Sequence, residues 1–119
     1  MEKNNVLVVD DDKEIADLVE IYLVNDGYQV LKASDGEQCL ETLKQHPEVR
    51  MLILDIMMPK KDGLQLCSEI KQDLRTGHIP VIIITAKSMV MHIKEGFQCG
   101  ADDYIVKPFN MEVLLCRIR

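Results

Sequence analysis

Three short runs of apolar residues, each ending at a polar residue, constrain the fold of this chain more than any other feature. The runs, with the polar residue that ends each, are 6–9 before Asp10, 51–54 before Asp55, and 81–84 before Thr85. A strand that is apolar at every position is buried on both faces. Such strands are typical of a parallel sheet covered by helices on both sides, and we expect that architecture here.

Amphipathic helical patterns fill the segments between these runs. After the first run, apolar residues recur with the spacing i, i+3, i+4, i+7 and i+8 of one helix face; they are Ile15, Leu18, Val19, Tyr22 and Leu23. Four further helices are predicted around Leu40 and Leu43; Leu66, Ile70 and Leu74; Val90, Ile93 and Phe97; and Leu114, Leu115 and Ile118. Two less apolar strands, 28–31 and 104–106, complete the alternation.

Strand and helix therefore alternate along the chain, which predicts an α/β fold. The fold class we expect is a doubly wound sheet of five parallel strands, in the flavodoxin-like order 2-1-3-4-5, flanked by five helices. A length of 119 residues suits one domain. Residues 1–119 are therefore expected to form a single domain, with the fifth helix truncated at the end of the chain.

Composition and charge exclude several classes of function. Apolar residues make up 47% of the chain, which suffices for a core, and the formal net charge is −6. A domain this acidic is a poor candidate for direct binding to nucleic acids or anionic membranes. We find no signal peptide or membrane-spanning run and expect a cytoplasmic protein. The cysteines form no C-x-x-C pair and are expected to be buried or half-buried thiols.

Polar residues with complementary chemistry follow the predicted strands. Asp10 and Asp11 follow the first strand, Asp55 ends the third, Thr85 the fourth and Lys107 the fifth. Because the strands are parallel, we expect these five side chains to meet at one edge of the sheet. Carboxylates that face one another repel, and a hard divalent cation that prefers oxygen ligands, such as Mg²⁺, would hold them together.

This set of residues suits the transfer of a phosphoryl group to a carboxylate. Asp55 is the best candidate for the nucleophile because it ends the central strand. Asp10 and Asp11 are better placed to hold the metal, while Thr85 would donate a hydrogen bond and Lys107 would balance negative charge. Each residue alone has an ordinary explanation, such as a helix cap or a turn. The presence of all five at strand ends is what favours the functional interpretation.

Five segments at the predicted strand ends form a specific set of motifs. They are 8–12 (Val-Val-Asp-Asp-Asp), 54–59 (Leu-Asp-Ile-Met-Met-Pro), Asp62-Gly63, 84–87 (Ile-Thr-Ala-Lys) and 100–109 (Gly-Ala-Asp-Asp-Tyr-Ile-Val-Lys-Pro-Phe). In this order and at this spacing they resemble the receiver domains of bacterial two-component response regulators. The resemblance covers essentially the whole chain. It implies a phosphorylation-dependent switch and not an enzyme that acts on outside substrates.

The resemblance also implies a role for each residue of the site. By matching positions, Asp55 would be the phospho-acceptor, and Mg²⁺ would be held by Asp10, Asp11, Asp55 and the backbone carbonyl of Met57. Thr85 and Lys107 would contact the phosphoryl group. Thr85 and Tyr104 would form the conformational switch. The implied phosphoryl donor is a sensor histidine kinase or a phosphotransfer domain. The domain would assist its own phosphorylation and dephosphorylation, and it would switch the surface formed by the fourth helix, the fifth strand and the fifth helix.

Three contexts for such a domain stay open: a transcription regulator, a hybrid sensor kinase and a stand-alone receiver. Receivers of the winged-helix class form a homodimer through the fourth helix, the fifth strand and the fifth helix. Asp103 and Arg117 fit the ion pairs of that dimer, whereas Ile93 and Val113 replace charged residues with apolar ones. The segment 73–80 resembles hybrid-kinase receivers more than winged-helix ones. We therefore favour the hybrid context or a related non-winged-helix context. In the hybrid context, the full-length protein would be a histidine kinase.

Two other functions compete with this interpretation. A Mg²⁺-dependent phosphatase of the aspartyl-phosphate type also uses an aspartate nucleophile on a doubly wound sheet. Such enzymes usually carry an acidic residue two positions after the nucleophile, where this chain has Met57. The second alternative is a degenerate receiver that acts only as an interaction module, and the retention of all five polar residues argues against it. Asp12 is expected to be only a helix cap.

Overall fold

The computed structural model describes residues 5–55, 63–86, 102–107 and 111–118. The described strands are β1 (Asn5–Val9), β2 (Gln29–Ala33), β3 (Val49–Asp55), β4 (Val81–Ala86) and β5 (Asp103–Lys107). The described helices are α1 (Lys13–Asn25), α2 (Gly36–Gln45), α3 (Gly63–Gln72) and α4 (Met111–Ile118). None of these described helices is long and apolar enough to cross a membrane.

The five strands form one sheet in the order β2-β1-β3-β4-β5, and every neighbouring pair is parallel. The doubly wound fold class predicted from the sequence is therefore confirmed. Helix α4 corresponds to the fifth predicted helix, and the fourth predicted helix, around Val90, Ile93 and Phe97, lies outside the described residues. Because the strands are parallel, their carboxyl ends lie along one edge of the sheet, which we call the carboxyl edge, and their amino ends lie along the opposite amino edge.

Alternate residues of the strands build a separate core on each face of the sheet. One core contains Leu7, Leu52 and Ile83 of the strands and packs on α2 and α3 through residues such as Leu43 and Ile70. The other core joins the intervening strand residues to α1 and α4; its members include Val8, Ile53, Ile84, Val19 and Leu114. Burial on both faces is the property that the continuous apolar runs predict.

Helix α1 differs from its predicted packing. Its buried residues are Ala16, Val19 and Leu23, whereas Leu18 and Tyr22 are 47% and 41% exposed. The predicted apolar stripe was therefore too wide. A helix that lies on a flat sheet face contacts it along a narrow strip, so the residues next to that strip remain at the surface.

Helix α3 ends earlier than the apolar pattern predicted. It stops at Gln72, and Leu74 is 99% exposed. The chain then folds back, because the backbone N–H of Gly77 donates to the carbonyl oxygen of Asp73 at 2.7 Å. Leu74 therefore belongs to the loop after α3 and not to the core.

The cysteines follow the prediction only in part. Cys39 and Cys67 are buried in the core on α2 and α3, as expected for small apolar side chains. Burial raises the pKa of the Cys39 thiol to about 12. Cys116 on α4 is exposed, so its predicted burial was wrong, and Cys99 lies outside the described residues.

Candidate functional site

Three aspartates converge at the carboxyl edge of the sheet. Asp10 follows β1 directly, and Asp55 is the last residue of β3, which lies beside β1. Both are almost fully buried, at 4% and 2% exposure, whereas Asp11 is exposed. One carboxylate oxygen from each of the three residues lies within 4.8 Å of the others. These are the three carboxylates that the sequence predicted to meet.

The turn between β1 and α1 divides the Asp-Asp-Asp sequence into separate roles. The backbone N–H of Asp10 donates to the carbonyl oxygen of Ala33, which extends the pairing of β1 with β2. Asp10 Oδ1 in turn accepts a hydrogen bond from the N–H of Asp12 at 2.9 Å. Asp12 is the N-cap of α1, and its Oδ1 accepts from Glu14 N and Ile15 N. The prediction that Asp12 caps the helix is confirmed.

The chemistry of this donor set fits a hard divalent cation. All three donors are carboxylate oxygens, the ligand type that Mg²⁺ prefers, and their separation allows them to reach one ion. Three negative charges at this distance repel one another, and two of them are shielded from bulk water. The amino end of α1 also adjoins the cluster, and the partial positive charge of a helix amino end favours negative groups.

The strand register brings two further predicted residues to the same edge. β4 pairs with β3 so that Asp55 lies opposite Ile84, and Thr85 is therefore the next residue along β4. In the pairing of β4 with β5, Lys107 lies opposite Ala86. The backbones of Thr85 and Lys107 thus lie at the carboxyl ends of their strands, while their side chains and the whole of Met57 lie outside the described part.

Tyr104 lies in β5, opposite Ile83 of β4. Its side chain is half-buried and packs against the core on α2 and α3. Asp103 is one of the residues predicted to form ion pairs in the dimer. Its carboxylate accepts a hydrogen bond from Tyr104 N at 2.8 Å. The other predicted dimer residues, Ile93 and the side chains of Val113 and Arg117, lie outside the described part of the chain.

The amino edge contains a polar cluster that the sequence did not predict. The ammonium group of Lys71 lies 3.0 Å from the carboxylate of Asp102 and 2.6 Å from the carbonyl oxygen of Ile79. The same carboxylate accepts a hydrogen bond from Val81 N at 2.8 Å. Lys71 and Asp102 are far apart in sequence and belong to different elements. Asp102 lies within the motif 100–109, but no periodicity or motif connects it to Lys71, so sequence patterns alone could not have found the pair.

Comparisons with known proteins agree on one family. Residues 6–119 match the family model of the response regulator receiver domain. The chain is 41% identical to the DNA-binding dual master transcriptional regulator RpaA of Synechocystis sp., over 96% of this chain and 47% of RpaA. It is also 38% identical to histidine kinase P4 of Formosa agariphila, over 99% of this chain and 8% of the kinase.

A solved structure gives the same result for the fold. The structure of the chemotaxis response regulator CheY4 of Vibrio cholerae superposes with a TM-score of 0.90 at 29% sequence identity, covering 98% of this chain and 96% of CheY4. The chain spans about half the length of the curated transcriptional regulators it matches. The similarity therefore concerns one part of those regulators.

Proposed function

We propose that this chain, which belongs to the family of response regulator receiver domains, accepts a phosphoryl group on Asp55 and acts as a phosphorylation-dependent switch. The observation that carries the proposal is the convergence of Asp55 with Asp10 and Asp11 at the end of the central strand, with carboxylate oxygens within 4.8 Å of one another. A carboxylate nucleophile with adjacent metal ligands is the arrangement that phosphoryl transfer to aspartate requires.

The phosphoryl donor is a phosphohistidine of a sensor histidine kinase or of a phosphotransfer domain. A carboxylate oxygen of Asp55 attacks the phosphorus atom, an O–P bond forms and the N–P bond breaks. The electron pair of the N–P bond remains on the imidazole nitrogen, and Asp55 becomes an acyl phosphate. Attack by water on that phosphorus later returns the carboxylate and releases inorganic phosphate, so the domain assists both steps without acting on other substrates.

Asp10, Asp11 and Asp55 would hold a Mg²⁺ ion together with the backbone carbonyl of Met57. When bound, the ion supplies positive charge next to the transferring phosphoryl oxygens. The carboxylates of Asp10 and Asp11 fix its position relative to the nucleophile. Their convergence, described above, supports this assignment.

Thr85 and Lys107 would contact the transferred group. The Thr85 hydroxyl donates a hydrogen bond to a phosphoryl oxygen, and the Lys107 ammonium balances its charge. The positions of both backbones at the carboxyl ends of β4 and β5 support these roles.

Phosphorylation would then change a surface away from Asp55. The new group adds about −1.5 to −2 charges and three acceptor oxygens. Thr85 moves toward these oxygens, and Tyr104 turns into the space that Thr85 leaves. The half-buried position of Tyr104 next to Ile83 supports this role, since its ring already lies at the border of the core. The affected surface comprises β5, α4 and the fourth predicted helix, and we propose that it mediates homodimer formation.

The domain covers residues 1–119 in this proposal, and the activity of any longer protein that contains it depends on what is attached. The relatives include transcriptional regulators and a histidine kinase. Either output would be controlled by the same event at Asp55.

Intact-protein mass spectrometry after incubation with acetyl phosphate tests the proposal. We expect the wild-type chain to gain the mass of one phosphoryl group in the presence of Mg²⁺ and none in EDTA. Asp55→Asn should gain none under either condition, because an amide is not a competent nucleophile. Asp35→Asn is the matched control, because Asp35 is a half-buried aspartate that caps α2 and lies outside the carboxylate cluster. It should be phosphorylated like the wild type.

Two results would reject the proposal. Continuous release of phosphate from p-nitrophenyl phosphate, lost in Asp55→Asn, would indicate the phosphatase alternative. Absence of any phosphoryl adduct on the wild-type chain, under conditions that phosphorylate a known receiver domain, would indicate a degenerate receiver that serves only as an interaction module.

A further inference from the structure

We infer that Lys71 and Asp102 form a clamp at the amino edge of the sheet that positions β5, and with it Tyr104 and Lys107, for the reaction at the carboxyl edge. Lys71 and Asp102 are positioning residues in this inference and touch none of the reacting groups. The inference rests on the proposed function, because it concerns the phosphoryl contact made from β5.

The clamp joins three elements at one point. The Lys71 ammonium, on α3, lies 3.0 Å from Asp102 Oδ2, 2.6 Å from the carbonyl oxygen of Ile79 and 3.4 Å from that of Gly77. The Lys71 side chain is only 14% exposed. The Asp102 side chain is 50% exposed, so water screens the ion pair in part, but the shielded ammonium group makes it stronger than a pair with both partners at the surface.

Asp102 connects this ammonium group to the start of two strands. Its Oδ2 accepts from Val81 N at 2.8 Å, and its own backbone N–H donates to the carbonyl oxygen of Val81 at 2.9 Å. Val81 begins β4, and Asp102 immediately precedes β5. The first residue of β4 and the residue that introduces β5 are therefore held together by two hydrogen bonds, and the ion pair fixes the carboxylate that makes one of them.

This attachment matters because β5 is an edge strand of the described sheet and pairs only with β4. The register that begins with Asp102 and Val81 continues along the two strands. Tyr104 lies opposite Ile83, and Lys107 lies opposite Ala86. A slip of one residue in a parallel pair moves every side chain to the other face and shifts the strand end. An edge strand that is held at its amino end has fewer such alternatives, so Lys107 is kept level with the end of β4.

The loop after α3 is shaped to complete the clamp. Gly77 lies so close to the end of α3 that a Cβ atom there would be 2.8 Å from the backbone oxygen of Lys71 and 3.0 Å from that of Asp73. A glycine is thus required for the loop to return over the helix end and present the Gly77 and Ile79 carbonyls to Lys71. The sequence analysis connected the segment 73–80 to hybrid kinases by resemblance alone. In this inference, the segment positions the carbonyl oxygens that bind the Lys71 ammonium group.

Separate binding measurements distinguish positioning from general stability. The proposed Mg²⁺ ligands lie after β1 and at or beyond the end of β3, whereas Lys107 lies on β5. Loss of the clamp should therefore weaken binding of the phosphoryl mimic beryllofluoride and leave Mg²⁺ affinity unchanged.

Isothermal titration calorimetry of the 119-residue chain provides both affinities. We expect Lys71→Met and Asp102→Asn each to weaken beryllofluoride binding in saturating Mg²⁺ by about tenfold, the scale on which supporting residues act on a site. The double variant should bind no more weakly than Lys71→Met, because Lys71→Met already removes the ion pair that Asp102→Asn breaks. Lys32→Met is the matched control. Lys32 lies on the opposite edge strand, β2, and pairs with Asp17 and Glu20 of α1. Its substitution breaks that ion pair, and both affinities should stay at the wild-type values.

Two outcomes overturn the inference while leaving the proposed function intact. One is beryllofluoride affinity within about twofold of the wild type in both single variants, which is less than a positioning role requires. The other is a parallel loss of Mg²⁺ affinity, which would mean that the clamp only supports the fold. Failure of the wild-type chain to bind beryllofluoride with Mg²⁺ would instead reject the proposed function.

Discussion

The two edges of the central sheet use charge in opposite ways. At the carboxyl edge, three carboxylates of like charge lie together, and two of them, Asp10 and Asp55, are buried. At the amino edge, the carboxylate of Asp102 meets the ammonium group of Lys71 and a backbone N–H donor. Carboxylates thus lie next to one another at the carboxyl edge, whereas the carboxylate of Asp102 lies next to a positive charge.

The difference indicates which edge of the sheet lowers the stability of the fold to form the proposed site and which edge adds stability. Burying like charges together costs free energy, and such sites persist because the rest of the fold holds them. Carboxylates in that position can receive a cation and react with an electrophile. The amino edge contributes to holding the fold, since its carboxylate is already matched. If the proposed function holds, one sheet separates a reactive edge from a stabilising edge, about one strand length apart.

Binding of Mg²⁺ should produce the largest effect, because it removes the repulsion that distinguishes the carboxyl edge. A ligand at one hundred times its dissociation constant stabilises the folded state by about 2.7 kcal/mol if it binds only that state. We expect urea unfolding, followed by circular dichroism, to show a stabilisation of this size for the wild-type chain in Mg²⁺ relative to EDTA. Asp10→Asn should lose most of it.

Asp35→Asn serves as the control for this measurement, since it also replaces an aspartate that follows a strand at the carboxyl edge. It should retain the full effect of Mg²⁺. An equal Mg²⁺ effect in Asp10→Asn and the wild type would contradict the assignment of Asp10 as a ligand.

The same substitution at the two edges should change stability in opposite directions. In EDTA, Asp10→Asn should raise the free energy of unfolding by about 1 kcal/mol, because it removes one of three repelling charges. The amide oxygen can still accept from Asp12 N, as Asp10 Oδ1 does. Asp102→Asn should lower the free energy of unfolding by about 1 kcal/mol, because it removes a charge-assisted contact with Lys71.

The midpoints of urea unfolding, compared at a common denaturant slope, measure both changes. Asp35→Asn should change the free energy of unfolding by about zero, because asparagine caps a helix as well as aspartate does. Changes of the same sign at Asp10 and Asp102 would show that the two edges do not differ in the way described.

The sequence was sufficient to predict the three-carboxylate cluster at the carboxyl edge, because the information for it is local. Each apolar run ends at a polar residue, and parallel pairing alone brings Asp10 and Asp55 to neighbouring positions. The order of the sheet followed from the same alternation and the resemblance. What the sequence did not reveal is that Asp10 is buried while its neighbour Asp11 is exposed, since this depends on the path of the turn into α1.

The stabilising edge could not be predicted for a related reason. Lys71 and Asp102 meet only because the loop at Gly77 folds back over α3 and because β5 starts beside Val81. Both conditions depend on tertiary contacts between segments that are distant in the sequence. The exposed Leu18 of α1 and the exposed Leu74 after α3 illustrate the same limit, because apolar spacing predicts a helix face but not how much of it the sheet covers.

A smaller effect should come from an exposed pair near the amino edge. The Arg75 guanidinium, which hydrogen-bonds the Asp73 carboxylate, holds the pKa of Asp73 below its ordinary value of 3.8. A lowered pKa in the folded state adds stability above the unfolded-state pKa and loses it as the pH falls through the folded-state value. The difference in urea midpoint between the wild type and Asp73→Asn should therefore be constant from pH 7 to about pH 5 and shrink below about pH 4.

Because the pair is exposed, added NaCl should reduce the difference at pH 7 as well. Asparagine can still accept the hydrogen bond from Arg75 N that Asp73 Oδ1 accepts at 2.8 Å, so the comparison isolates the ionic contribution. A difference that grows as the pH falls would show that the protonated form of Asp73 is the favoured one. The amino edge would then resemble the carboxyl edge, and the contrast between matched and repelling carboxylates would not extend to its surface.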